Sequence, residues 1–228
     1  MFTSTTAKGV DNVMMISSNH RQQLSAWFLE KNNSQFFSQL KLQKFLFLYE
    51  MFSKIEKGTA DFSSLKAYKN GPVYSDVYGD FTYRQESFIA VLQNLDVRND
   101  VEEYLADYAN FIVSILNEDE LSDLTHELNM WKVHRGNIHR GILHIPMYET
   151  DIDFSDHSFV TELFHMYQDI NLNEVEVLTI NQTNFVLEKN LNQQLTEEQR
   201  LALFTIADQE LNNPVFVSLG EDGVLEID

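Results

Sequence analysis

From Leu42 to Phe52 the apolar side chains recur at steps of three and four: Leu42, Phe45, Leu46, Tyr49 and Phe52. That spacing lines one side of a 3.6-residue helix. Leu48 and Ile55 widen the stripe, which predicts the most buried helix of the chain. Ser38 is placed to cap its start and Gly58 to stop it. Upstream, Asn19 with Gln22 resembles a capping box that opens a helix through Leu24, Trp27 and Phe28, ended by Asn32-Asn33-Ser34. Leu65 to Tyr68 reads as a short extended segment. Asn70-Gly71-Pro72 is a turn signal, and Val73 to Phe81 then forms one or two helical turns. Asp100 caps a helix with Tyr104, Leu105, Tyr108, Phe111, Ile112 and Ile115 inward. Another helix fits Glu118 to Leu128, and one more follows Trp131.

After Pro146 the texture changes. Phe159, Leu163, Phe164 and Tyr167 predict a helix, and Val175–Ile180 with Phe185–Leu187 predicts a hairpin. Thr196 with Gln199 is a second capping box, opening a helix through Leu203, Phe204, Ala207 and Leu211 that Pro214 ends. Val215–Leu219 and Val224–Ile227 flank Gly220-Glu221-Asp222-Gly223 as a second hairpin. The expectation is a mainly α protein. A loose leader over residues 1–18 precedes a compact helical domain over 19–150. A smaller α+β part follows over 151–228.

Charge sharpens that division. Residues 1–114 carry 11 Lys+Arg against 13 Asp+Glu, whereas residues 141–228 carry 2 against 17, a net charge of −15. An acidic body repels phosphate backbones and speeds the encounter with a basic protein, although on charge alone the first reading is a surface that keeps the protein soluble. Cysteine is absent, which excludes disulfides and thiolate metal sites. No apolar run has the length of a signal peptide or a membrane span, so the expected location is the cytoplasm, with no membrane partner.

Little in the chain points to a reaction. His134, His139 and His144 are spaced by five, which does not bring two ligands to one helix face, so no metal is assigned. Phosphate-cradling glycine loops and a nucleophile elbow are missing as motifs, so no cofactor is assigned. Lys41, Lys44, Lys66 and Lys69 with Tyr49 and Tyr68 outline a small nucleic-acid patch. The half that carries them nets −2, so no nucleic-acid partner is assigned.

Three segments, in order, carry a resemblance. The first is Leu40-Lys41-Leu42-Gln43-Lys44-Phe45-Leu46-Phe47-Leu48-Tyr49. The second is Tyr68-Lys69-Asn70-Gly71-Pro72-Val73-Tyr74-Ser75-Asp76-Val77-Tyr78. The third is Leu121-Ser122-Asp123-Leu124-Thr125-His126-Glu127, followed by Met130-Trp131-Lys132. Together they resemble the Panacea antitoxin domain, the family of SocA-like antitoxins and phage-associated GepA-like proteins. The likeness covers residues 19–150; Met130 stands where that family usually has proline.

The resemblance implies a bacterial or phage antitoxin without a reaction of its own, which neutralises a toxin protein by direct contact or delivers it to a protease or chaperone; the −15 of residues 141–228 adds the expectation that the toxin is basic. The motif residues it singles out are Gln43, Lys44, Tyr49, Gly71, Pro72, Val73, Tyr78, Thr125, His126, Trp131 and Lys132. Of these, Gly71, Pro72 and Trp131 are expected to hold the domain together. Gln43 and Lys44 lie on an otherwise apolar helix, so both should meet partners near the Gly71-Pro72 turn or Thr125-His126. A DNA-mimic or anti-defence protein of a mobile element is the alternative, and a hydrolase using His126 or His139 a third.

Overall fold

The computed structural model describes residues 14–96, 100–209, 211–220 and 223–228. The fold is helix-dominated α+β with two small sheets. Helix α1 spans Asn19–Lys31, α2 Asn33–Phe36 and α3 Gln39–Lys57. Ser38 caps α3 by accepting from the Lys41 amide, and Gly58 ends it in the left-handed region at φ 72°. The cap of α1 is Ser18 and not Asn19, because the Ser18 hydroxyl accepts from the Arg21 amide. Every residue of α3 from Lys41 to Ser53 is buried, so this helix is covered on all sides and not along one stripe.

Strands β1 (Leu65–Tyr68) and β2 (Gly71–Tyr74) form an antiparallel hairpin with Leu65 opposite Tyr74 and Tyr68 opposite Gly71. Val73 and Tyr74 are therefore extended, and the next helix, α4, begins only at Ser75 and runs to Tyr83. The Gln43 side chain explains the delay: its Oε1 accepts from the Tyr74 amide at 2.7 Å. Helix α5 (Gln85–Leu92) and helix α6 (Glu103–Ile115) follow. Glu102 occupies the cap position of α6 in place of Asp100, whose carboxylate accepts from Gln23 Nε2 at 2.7 Å. Tyr104, expected inward, is 45% exposed.

Helix α7 (Glu118–His126) opens on a reciprocal capping box between Asn117 and Glu120 and stops two residues short of Leu128. Helices α8 (Asn129–Lys132) and α9 (Arg135–His139) lead to β3 (Ile145–Pro146), which pairs with β1 and gives the order β2-β1-β3. Helix α9 is the helix expected after Trp131, and the short α8, which contains Trp131, comes in addition. Asp153 caps α10 (Phe154–His165), which ends before Tyr167.

Strands β4 (Val175–Ile180) and β5 (Thr183–Glu188) are an antiparallel hairpin. Two helices, α11 (Lys189–Gln194) and α12 (Glu197–Ala207), carry the chain over to β6 (Val215–Leu219), parallel to β5, and β7 (Leu225–Ile227) closes the order β4-β5-β6-β7. A parallel pair requires such a crossover. The capping box of Thr196 and Gln199 opens α12 as its sequence predicts. Leu211 lies beyond the helix, and of the other three residues expected along α12 Leu203 and Ala207 are buried while Phe204 is 54% exposed.

Two apolar cores result. The larger surrounds α3 and includes Leu24, Phe28, Phe36, Phe52, Phe88 and Phe164. Phe45 stacks between Phe28 at 4.5 Å and Trp27 at 5.6 Å. Val160, Leu163 and Phe164 of α10 pack into this core. The smaller core gathers Ile180, Phe185, Leu187, Leu203, Val215 and Val217. Strand β5 faces both: Val186 points into the helical core, Phe185 and Leu187 into the smaller one, as the two-residue alternation of a strand dictates. Polar stitches add to the seam. Asn184 Nδ2 donates to the Ile115 carbonyl at 3.0 Å, and Asn213 Nδ2 donates to Glu120 Oε2 at 2.9 Å.

The leader expected over 1–18 falls outside the described residues as far as residue 13. Its end is held by buried Asp80, whose carboxylate accepts from the Ile16 and Ser17 amides and the Ser17 hydroxyl. Among the described residues no helix is long and apolar enough to cross a membrane.

Candidate functional site

Lys44 lies in the middle of α3, which places its side chain inside the protein with 1% exposure. Its Nζ donates to the Asn70 carbonyl at 2.6 Å and to Thr125 Oγ1 at 2.9 Å. Thr125 Oγ1 in turn donates to carbonyls one turn back on α7, those of Leu121 and Ser122. The lysine thus ties α3, the β1–β2 turn and α7 to one atom. Among the described residues no carboxylate shares this contact, and burial pushes the lysine pKa down to about 7. Two acceptors match the two N–H groups of a neutral amine.

Gly71 is where that amine comes closest to the backbone. Its φ is +103°, and a Cβ there would stand 2.0 Å from Lys44 Nζ and 2.5 Å from Thr125 Oγ1. Only glycine satisfies both the conformation and the space. Beside it, Gln43 treats β2 as a neighbouring strand would: Oε1 accepts from the Tyr74 amide and Nε2 donates to the Tyr74 carbonyl at 3.4 Å. Trp131 Nε1 donates to the Tyr68 carbonyl at 2.9 Å from the other side of the hairpin. The His126 ring stacks on Trp131 with centroids 3.8 Å apart. Burial and then the neighbouring Lys44 lower the His126 pKa, so the imidazole is biased to its neutral form. Its Nε2 is buried without a hydrogen-bond partner among the described residues.

The three motif segments therefore converge. Gln43, Lys44, Gly71, Thr125, His126 and Trp131 form one constellation. Pro72, Val73 and Tyr78 line a groove of about 350 Å³ beside it, together with Leu40, Tyr68 and Lys69. Tyr49 and Lys132 stand apart. The Tyr49 hydroxyl accepts from the Glu102 amide at 3.1 Å, and exposed Lys132 pairs with Glu127 at 2.9 Å. Chemically the constellation is a clamp of neutral donors on backbone carbonyls.

A second polar cluster gives no local signal in the sequence. Arg21, 2% exposed, donates to Asp76 at 2.9 Å, Asp61 at 2.8 Å and the Ser63 hydroxyl at 2.7 Å. Its guanidinium also lies 4.9 Å from the Tyr74 ring centroid. Burial opposes the charge, and Asp76 and Asp61 more than offset it, so the Arg21 pKa is raised. Buried Glu50 accepts from His20 Nε2 and from the Asp61 amide, each at 2.7 Å. The partners lie 40 to 55 positions from Arg21, beyond any periodicity.

Of the three five-spaced histidines, His134 pairs with Asp151 at 3.0 Å, His144 meets the Tyr68 hydroxyl and His139 is exposed. Among the described residues no three His, Asp or Glu side chains are grouped to hold a metal. No protein-family model matches the chain, and comparison with curated proteins and with solved structures gives no match either.

Proposed function

We propose that this protein is an antitoxin-like binder that neutralises a basic toxin protein by direct contact through its acidic C-terminal third. One observation carries the reading. Residues 141–228 hold a net charge of −15, and among the described residues only two of their carboxylates have an ion-pair partner, Glu149 with Lys54 and Asp151 with His134. The two cations of that region are turned elsewhere: Lys189 donates to the Asn173 carbonyl and Arg200 to the Asn192 carbonyl. Uncompensated charge of one sign strains a fold by self-repulsion and steers an oppositely charged partner. A toxin surface that meets RNA or nucleotide has the matching sign. The convergence of the three motif segments on Lys44 supports treating residues 19–150 as one antitoxin-like body.

The test is expression of the neighbouring open reading frame with and without this chain. The neighbour alone arrests growth, co-expression restores it, and the two proteins purify together in a complex that weakens with salt. Rescue in a host lacking its ATP-dependent proteases separates direct neutralisation from delivery to a protease. A neighbour without toxicity, or a complex that buries only residues before 141, overturns the reading.

A further inference from the structure

Helix α12 is amphipathic in a way its own fold does not use. Leu203 and Ala207 bury against the β4–β7 sheet. Opposite them, Leu201 is 62% exposed and Phe204 is 54% exposed. Glu197, Leu201, Phe204 and Asp208 follow one another at steps of four, three and four, so they stand in one row along the helix. A carboxylate thus bounds the apolar pair at each end, about 16 Å apart at the ordinary helical rise. Phe204 and Leu203 also edge a concavity of about 270 Å³ with Leu178, Ile180 and Arg200, where β4 meets α12.

We infer that this row is a docking face for a basic amphipathic helix of the partner protein, with two apolar side chains on Leu201 and Phe204 and a cation against each of Glu197 and Asp208. The sign of the charge selects this occupant. A second copy of the chain would bring another net −19 and the same two carboxylates against the face. An anionic membrane surface or a nucleic acid meets the same repulsion. A cationic helix gains at both ends of the row and covers the apolar centre, the arrangement of helix-in-groove recognition. The inference rests on the proposed antitoxin role for the partner's identity, and on the geometry of α12 for the place.

The probe is a synthetic helical peptide with two leucines three positions apart, flanked by lysines matching the 197–208 span, titrated against the full chain. Phe204→Ser and Leu201→Ser lie on the surface and keep the fold, which circular dichroism checks. Each is expected to weaken the peptide on the order of tenfold, as central apolar anchors do. The pair Glu197→Gln and Asp208→Asn should weaken it and flatten its salt dependence, whereas Glu226→Gln, on β7, should not. Equal loss for any removed carboxylate, with no effect of Phe204→Ser, makes the attraction diffuse and overturns the face. The same variants in the co-expression assay separate the two ideas. Rescue that survives Leu201→Ser and Phe204→Ser leaves the antitoxin reading and removes the docking face. Peptide binding that depends on both residues, without a toxic neighbour, does the reverse.

Discussion

At the scale of single residues, Gly71 and Lys44 depend on each other. Gly71→Ala forces a Cβ into a φ of +103° and against the Lys44 amine. Backbone strain of that kind costs about 1–3 kcal/mol, and the clash adds to it, so urea unfolding should show a loss of at least that size. Adding Lys44→Ala should relieve the contact with the amine but neither the strain nor the contact with Thr125 Oγ1, so the double variant should fall short of the two single losses summed. The amine also sets a pH dependence. In the fold it is neutral above about 7, whereas in the unfolded chain it keeps its proton to about 10.4. Between those values the unfolded chain binds more protons, so stability is gained as pH rises from 7 to 10. Measured against Lys44→Met, the wild-type protein should become relatively more stable across that window; a constant difference would place the charged form inside the fold. Neither effect is legible in the sequence. The neighbourhood of the Lys44 acceptors, Asn70 and Thr125, is expected from the motif segments, but the positive φ of Gly71 and the depth of burial that lowers the lysine pKa arise only in the folded packing.

At the scale of elements, the helices that could be read were those whose ends announce themselves. Ser38 and Gly58 bound α3, and Thr196 with Gln199 opens α12, because caps are local hydrogen bonds between neighbours in sequence. Val73 and Tyr74 depart from the helix their sequence predicts because Gln43, 31 positions from Tyr74, holds them as strand. Helix α11 and the parallel pairing of β5 with β6 were likewise invisible to periodicity, since both depend on the crossover. Of the candidate site, the convergence of Gln43, Lys44 and Thr125 was foreseeable from the need to satisfy buried polar groups; the buried Arg21 pair was not. Glu120 joins two elements at once, accepting from the Asn117 amide at the head of α7 and from Asn213 ahead of β6. Asn117→Ala should cost about 1 kcal/mol through the lost cap. Glu120→Ala should cost more and also speed amide hydrogen exchange over 215–219, a readout the cap variant leaves unchanged.

At the scale of the whole molecule, charge works against compactness. A net −19, concentrated after residue 141, repels itself across the surface of β4–β7 and α10–α12. Sodium chloride shortens the reach of that repulsion from about 10 Å at 0.1 M to about 3 Å at 1 M. The thermal midpoint should therefore rise between 20 mM and 0.5 M salt, by a few degrees for a change near 1 kcal/mol in a domain of this size. A flat response in differential scanning calorimetry would mean that the carboxylates lie too far apart to matter.

Strand β5 belongs to two neighbourhoods, and this ties their fates together. With Val186 seated among the helices and Phe185 and Leu187 on the reverse side, neither half can open without stripping a wall from the other. Heating should produce one melting step, and a chain cut short after residue 170 should clump through its bared flank rather than survive as a smaller version of itself.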